Sequence, residues 1–323
     1  MLLFIAAVIA GLAILIWSAD RFVDGAVAIA QLMGVSSLII GITIIGFGTS
    51  APEIVVSIIS VLEQTPDLAI GNALGSNIAN IGLILGFTAI LAPIPIANRM
   101  LRSEYPILLF ATAVMSWCLY DLTLDAFDGL LLLGMLALIL FYLIRDHRKN
   151  PEPDEAEDST KDEAGMTMLP AIGWLTLGLI LLIGGSKLLV WGASNIALSF
   201  GVSDLVIGLT IVALGTSLPE LAAAIASLKK GETDLVIGNV VGSNLFNSLA
   251  VIGLPAVLVR FNIDSAAFSR DVPVVIGFTL LMYLMSRFAS ADKRQLTRVH
   301  GILLFSGFVI YQLYLYYGAA INY

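Results

Sequence analysis

Glu53 and Glu220 stand in matching octets, GFGTSAPE over 46–53 and ALGTSLPE over 213–220. Both octets interrupt stretches that are otherwise almost purely apolar. An ionisable side chain at the centre of a membrane span costs about 3 kcal/mol, so each glutamate is a functional candidate. Thr49 and Ser50 precede Glu53 by four and three residues, which puts all three on one helical face. Thr216 and Ser217 stand in the same relation to Glu220. Pro52 and Pro219 have no amide hydrogen, and their rings clash with the carbonyls of Gly48 and Gly215 four residues back. The expectation is a helix broken at each proline, with freed carbonyls turned toward protein or a wet cavity.

The next apolar stretch of each copy supplies more oxygen. Ser76 and Asn80 lie four apart on one face, as do Ser243 and Asn247. Gly71, Gly75, Gly82, Gly238 and Gly242 would let these helices approach their neighbours closely. Each feature alone has a plain structural account: a protonated glutamate, a proline kink, an interhelical amide bond. Recurrence of the whole set argues against it. Two carboxylates, several hydroxyls and amide oxygens, with no thiolate or imidazole, suit hard cations such as calcium, magnesium, manganese or sodium. A formal charge of minus two balances one divalent ion or a few monovalent ones, and competition for the same carboxylates would couple their movements.

The elements that hold these residues follow from composition. Of 323 residues, 59% are hydrophobic and only 12% charged, where a soluble domain carries about 25% charged residues. Long apolar runs without short alternating strands indicate an all-α membrane protein rather than a β-barrel. Ten spans are expected, near 2–33, 37–62, 68–92, 105–120, 126–144, 169–200, 203–228, 234–259, 270–287 and 298–318. Residues 1–19 lack a basic leader and read as the start of the first helix, retained. One cysteine, Cys118, and two histidines, His147 and His300, exclude a disulfide framework and argue against a zinc site. Cys118 is expected to be a small lipid- or core-facing residue, and both histidines to be solvated in polar connections.

The chain also repeats itself. Sliding 25–86 by 167 positions onto 192–253 matches about 29 of 62 residues without a gap. The acidic, proline-containing segment between the copies reads as a solvated linker. The division is therefore 1–144, a first five-helix repeat; 145–168, the linker; and 169–323, a second five-helix repeat. Five spans per half is an odd number, so the halves must have inverted topology. Charge agrees: the loop 62–67 carries only acids, whereas its mate 229–234 begins with two lysines. By the positive-inside rule the linker is cytoplasmic, with Arg99, Arg102, Lys229, Lys230, Lys293 and Arg294 on its side, and both termini are extracytoplasmic. Inverted repeats of this kind occur in secondary transporters, whose substrate sites lie near the midplane.

The paired motif G-T-S-x-P-E, each copy followed by G-N-x-x-G-S-N-x-x-N, resembles the alpha repeats of the calcium/cation antiporter superfamily, and most of all its prokaryotic sodium/calcium exchangers. The resemblance implies exchange of calcium for sodium across the plasma membrane by alternating access, with the first and sixth helices sliding against the rest. It implies ion ligands at Thr49, Ser50, Glu53, Ser76 and Asn80 with the Gly46 carbonyl, and at Thr216, Ser217, Glu220, Ser243 and Asn247 with the Ala213 carbonyl. Gly46 replaces the usual alanine, which is harmless for a backbone ligand. Asn247 stands where some members carry aspartate, which argues against a potassium-coupled subtype. The expected partners are calcium and sodium ions and membrane lipid, with no nucleic acid and no prosthetic group. A monomer holds both halves of the site. The nearest alternative is a proton-coupled divalent-cation exchanger, and a passive cation channel is a third. No enzyme motif is visible.

Overall fold

The computed structural model describes residues 1–149, 166–200, 213–288 and 294–321. The helices are α1 (Leu2–Met33), α2 (Ser37–Leu62), α3 (Pro66–Leu91), α4 (Glu104–Cys118) and α5 (Ala126–Lys149). After them come α6 (Met168–Ser199), α7 (Leu218–Lys229), α8 (Thr233–Leu258), α9 (Ala267–Arg287) and α10 (Arg298–Ile321). A helical turn, Ala213–Thr216, leads into α7.

Among the described residues, eight of these helices are long and apolar enough to cross a membrane. Of the ten expected spans, eight meet this condition among the described residues. Helix α4 has only 15 residues, short of the roughly 20 a straight crossing requires. The first part of the expected span 203–228 lies outside the described residues, as do 150–165 of the linker and Lys293. Large apolar side chains such as Leu138, Phe110 and Ile310 project outward, as a lipid-facing surface requires.

Helix α8 is the centre of the molecule, and every residue from Leu235 to Gly253 is buried. It touches α2, α3, α4 and α7. By contrast α1 and α6 pack chiefly against each other on the outside. Gly178 explains how closely: a Cβ there would lie 2.7 Å from the Phe22 amide nitrogen of α1.

Contacts between connections define the two ends. At one end Ile94–Pro95 pairs antiparallel with Gln295–Leu296, Lys230 Nζ is 2.6 Å from Asp24, and Ser37 donates to Glu232. At the other, Thr123–Leu124 pairs with Phe261–Asn262, and Asp67 accepts from the Asp264 amide. Turns 167 residues apart share a left-handed backbone, Gln64 at φ 62° and Gly231 at φ 77°.

His147 differs from expectation. It is buried, with Nε2 2.8 Å from Glu104 Oε1 and Nδ1 3.2 Å from Ser36 Oγ. Arg99 lies 3.5 Å from the same carboxylate oxygen and 2.5 Å from Asp146. Hydropathy reads a polar connection there, but the fold closes the network against solvent. His300 is half-buried at the start of α10 and accepts from the Thr297 amide. Cys118 is buried, which makes it core-facing rather than lipid-facing.

Candidate functional site

The prolines do not act alike. Residues Gly46–Leu62 form one continuous α-helix through Pro52, so the expected break is absent from the first copy. Irregularity appears about two turns before the proline, as a π-helical segment over Gly41–Ile45. In the second copy the helix does break. Ser217 leaves helical geometry at φ −91° and ψ 3°, Pro219 opens α7, and Glu220 falls in its first turn. The carbonyl freed by Pro219, that of Gly215, accepts a 2.6 Å hydrogen bond from Ser186 Oγ on α6. It is therefore satisfied by protein rather than by a wet cavity. Further π-helical segments begin at Asn80 in α3 and at Asn247 in α8, equivalent positions of the repeat. Such segments widen the helix and are frequent at functional sites.

The structure buries nearly all the expected residues. Thr49, Ser50, Glu53, Ser76, Asn80, Ser217, Glu220, Ser243 and Asn247 each have 6% or less of their surface exposed. Thr216 is half-buried, and Ala213 heads the turn before α7. Helices α2 and α8 meet almost backbone to backbone, since a Cβ on Gly46 would lie 2.9 Å from Gly242. This brings Thr49 Oγ1 to 3.3 Å from Ser243 Oγ across the two copies. Glu53 and Glu220 lie near enough to interact electrostatically, and Thr49 lies beside Glu220.

Polar atoms without partners collect in this region. They include Ser50 Oγ, both carboxylate oxygens of Glu53, Glu220 Oε2, Asn80 Nδ2 and Asn247 Oδ1. Rotation of a carboxamide exchanges its oxygen and nitrogen, so either asparagine can present an oxygen. Among the described residues neither glutamate forms an ion pair. Buried polar atoms are normally paired, and a buried charge is paired or coordinates a metal. The arrangement can take up a positive charge through oxygen alone.

Four residues outside the expected ligand set belong to the same region. Asn239 and its repeat mate Asn72 each donate to the main-chain carbonyl of the glutamate in the preceding helix, Glu220 at 3.4 Å and Glu53 at 3.2 Å. Asn77 donates to Ser248 Oγ at 2.9 Å. The signal for the asparagines was present in the recurring G-N-x-x-G-S-N, where an amide inside an apolar run needs a partner. Ser248 has no polar mate in the first copy, where Ile81 stands, so repetition gives no sign of it.

Comparison with known proteins meets this geometry. The profile of the family described as "Sodium/calcium exchanger protein" matches the chain twice, over 3–145 and 170–317. The chain belongs to the sodium/calcium exchanger family. The two matched stretches bracket the linker, one in each half. A protein of Alkalimonas amylolytica named "Putative antiporter CaxA" is 45% identical over 311 residues, 96% of this chain and 97% of its own. Inner membrane protein YrbG of Escherichia coli (strain K12) is 39% identical over 98% of both chains. Among solved structures, the sodium-calcium exchanger NCX_Mj superposes with a TM-score of 0.81 at 31% identity, over 96% of this chain and 97% of that one. That structure comes from a study of extracellular ion exchange and binding-site occlusion, in a crystal soaked with sodium and strontium.

Proposed function

We propose that the chain is a secondary antiporter exchanging calcium for sodium across the cell membrane by alternating access. One observation carries the reading. Two buried glutamates from equivalent positions of the repeat converge with unpaired oxygens and without a basic partner among the described residues. The ligands in this reading are the side chains of Thr49, Ser50, Glu53, Ser76 and Asn80, those of Thr216, Ser217, Glu220, Ser243 and Asn247, and the carbonyls of Gly46 and Ala213. One chain supplies both halves, so a monomer suffices.

Ten crossings in two inverted five-helix halves fit the contacts at the ends. The loop after α2 meets the Asp264 turn, whereas the equivalent loop after α7 meets Asp24 at the opposite end. Arg99, Lys230 and Arg294 gather at the end where α5 and α6 meet the linker. By the positive-inside rule that end is cytoplasmic and the termini are extracytoplasmic. Relatives named as exchangers, antiporters and membrane proteins support transport rather than enzymatic chemistry. Sodium is favoured over protons because a proton needs only a carboxylate, whereas hydroxyls flank both glutamates.

Proteoliposome flux tests the reading. Calcium uptake should follow an outward sodium gradient and collapse without one. Uptake driven equally by a pH gradient would replace sodium with protons. Conductance independent of any counter-ion would indicate a channel, and preference for manganese would change the cargo.

A further inference from the structure

The Asn239 carboxamide touches parts of both halves. Its Nδ2 donates to Glu220 O on α7 at 3.4 Å. A carbonyl can only accept, so this bond fixes which side of the amide carries nitrogen and which oxygen. The oxygen then faces two hydroxyls, Thr49 Oγ1 on α2 at 3.2 Å and Ser243 Oγ on its own helix at 3.4 Å. The side chain is buried, with 2% of its surface exposed, so no bulk solvent competes for these bonds.

A hydroxyl that ligates a cation does so through a lone pair, and its hydrogen must point elsewhere. Thr49 has a second acceptor for that hydrogen, Ile45 O at 3.1 Å, the ordinary choice of a helical threonine. Ser243 lies between Asn239 Oδ1 and Thr49 Oγ1. Asn239 Oδ1 is the one acceptor within reach of both hydroxyls: Ser243 reaches it at 3.4 Å, and Thr49 at 3.2 Å when its hydrogen is not turned to Ile45 O. When both hydroxyls donate to this carbonyl oxygen, both of its lone pairs are occupied. Asn239 is then unable to be a ligand itself.

We infer that Asn239 is a positioning residue, outside the ligand set, that aligns the Thr49 and Ser243 hydroxyls for cation binding and ties them to the main chain of Glu220. This rests on the proposed reading of the site. The bond recurs at the equivalent position: Asn72 Nδ2 donates to Glu53 O at 3.2 Å and also lies 3.2 Å from Ser57 Oγ. Both copies therefore lock the glutamate's backbone with an amide from the following helix. Among the described residues, only the second copy's asparagine joins ligand hydroxyls across the repeat, through the contact where Gly46 meets Gly242.

The test uses full-length purified protein, with calcium half-saturation measured in proteoliposomes and melting temperature measured in detergent. Asn239→Leu keeps side-chain volume and removes every hydrogen bond. The expected result is about a 10-fold rise in half-saturating calcium, since partners that orient metal ligands are typically worth 10–100-fold in affinity. In a Thr49→Val background, which lacks the hydroxyl from α2, the same substitution should add no more than about 3-fold, because residues acting through one another are not additive. If Asn239→Leu fails to fold, Asn239→Ser, too short to join Glu220 O to Thr49, carries the same two expectations. Unchanged half-saturation, or an equal shift in both backgrounds, overturns the inference and leaves the antiport reading standing. Absence of sodium-dependent calcium uptake in the wild type overturns both.

Discussion

Gly242→Ala is the smallest change that separates the two halves of the site. A Cβ built there lies 2.3 Å from Ile42 O, 2.7 Å from Ile42 Cα and 2.8 Å from Ile42 C. All three are main-chain atoms in the π-helical segment of α2, so no rotamer change relieves the clash. Ordinary contact begins at 3.4 Å, so α2 and α8 must part by about 1 Å. The Thr49 contacts with Ser243 and Asn239, at 3.3 and 3.2 Å, would then exceed hydrogen-bonding distance. Overpacking by one methyl costs about 1–3 kcal/mol, which lowers the melting temperature without abolishing the fold. A 1 Å misplacement of a functional group costs on the order of 100-fold in rate. The expected outcome is a folded protein whose sodium-driven calcium uptake falls about 10- to 100-fold. Gly134→Ala, on an exposed position of α5 with no described atom within 4 Å of its Cβ, is the control. It should transport normally and gain up to about 1 kcal/mol from helix propensity. Wild-type uptake and melting temperature in Gly242→Ala would refute the close approach of α2 and α8 on which the site depends.

Glu53→Gln and Glu220→Gln should each abolish calcium exchange in proteoliposomes, because each removes half of the charge that balances a divalent ion. Normal turnover in both would remove the basis of the reading. Glu104→Ala should destabilise the protein by about 3 kcal/mol, since it removes the buried carboxylate that His147 and Arg99 both approach. A melting temperature within a degree of wild type would show the network to be dispensable. Trimming residues 154–163 should leave calcium uptake unchanged, as the segment supplies none of the proposed ligands.

Much of the candidate site was legible because it is written twice. Thr49, Ser50 and Glu53 recur as Thr216, Ser217 and Glu220, and polar residues in apolar runs need a reason. Their burial follows from the same pattern: all but Thr216 are buried. Residues without a polar mate were harder. Ser186, which caps the Gly215 carbonyl, corresponds to Ala19 in the first half, so repetition could not reveal it. His147 was misread because hydropathy scores a connection by its own polarity. Its burial comes from Glu104 and Ser36, distant in sequence. The π-helical segments also leave no mark in the pattern, since a period changed over five or six residues is indistinguishable from an α-helical face.

The difference between the two prolines has another cause. Positions 48–50 and 52–53 are identical to 215–217 and 219–220, so local propensity cannot account for one continuous helix and one broken one. The choice must come from packing. Around Pro52, α2 is held against α8 through Gly46 and Gly242, and its irregularity is displaced into the π-helical turn upstream. Around Pro219, the break lies against α6, where Ser186 takes the freed carbonyl and Val190 sits 2.1 Å from a Cβ built on Gly215. One short sequence thus has two backbone solutions close enough in energy for neighbours to decide between them. An element with two such arrangements is what alternating access demands, because a transported ion can only bias states that already lie within a few kcal/mol of each other. In the antiport reading, movement of α1 and α6 would withdraw the Ser186 bond from one copy. The broken and continuous forms could then change places, and the ligands would face the opposite side.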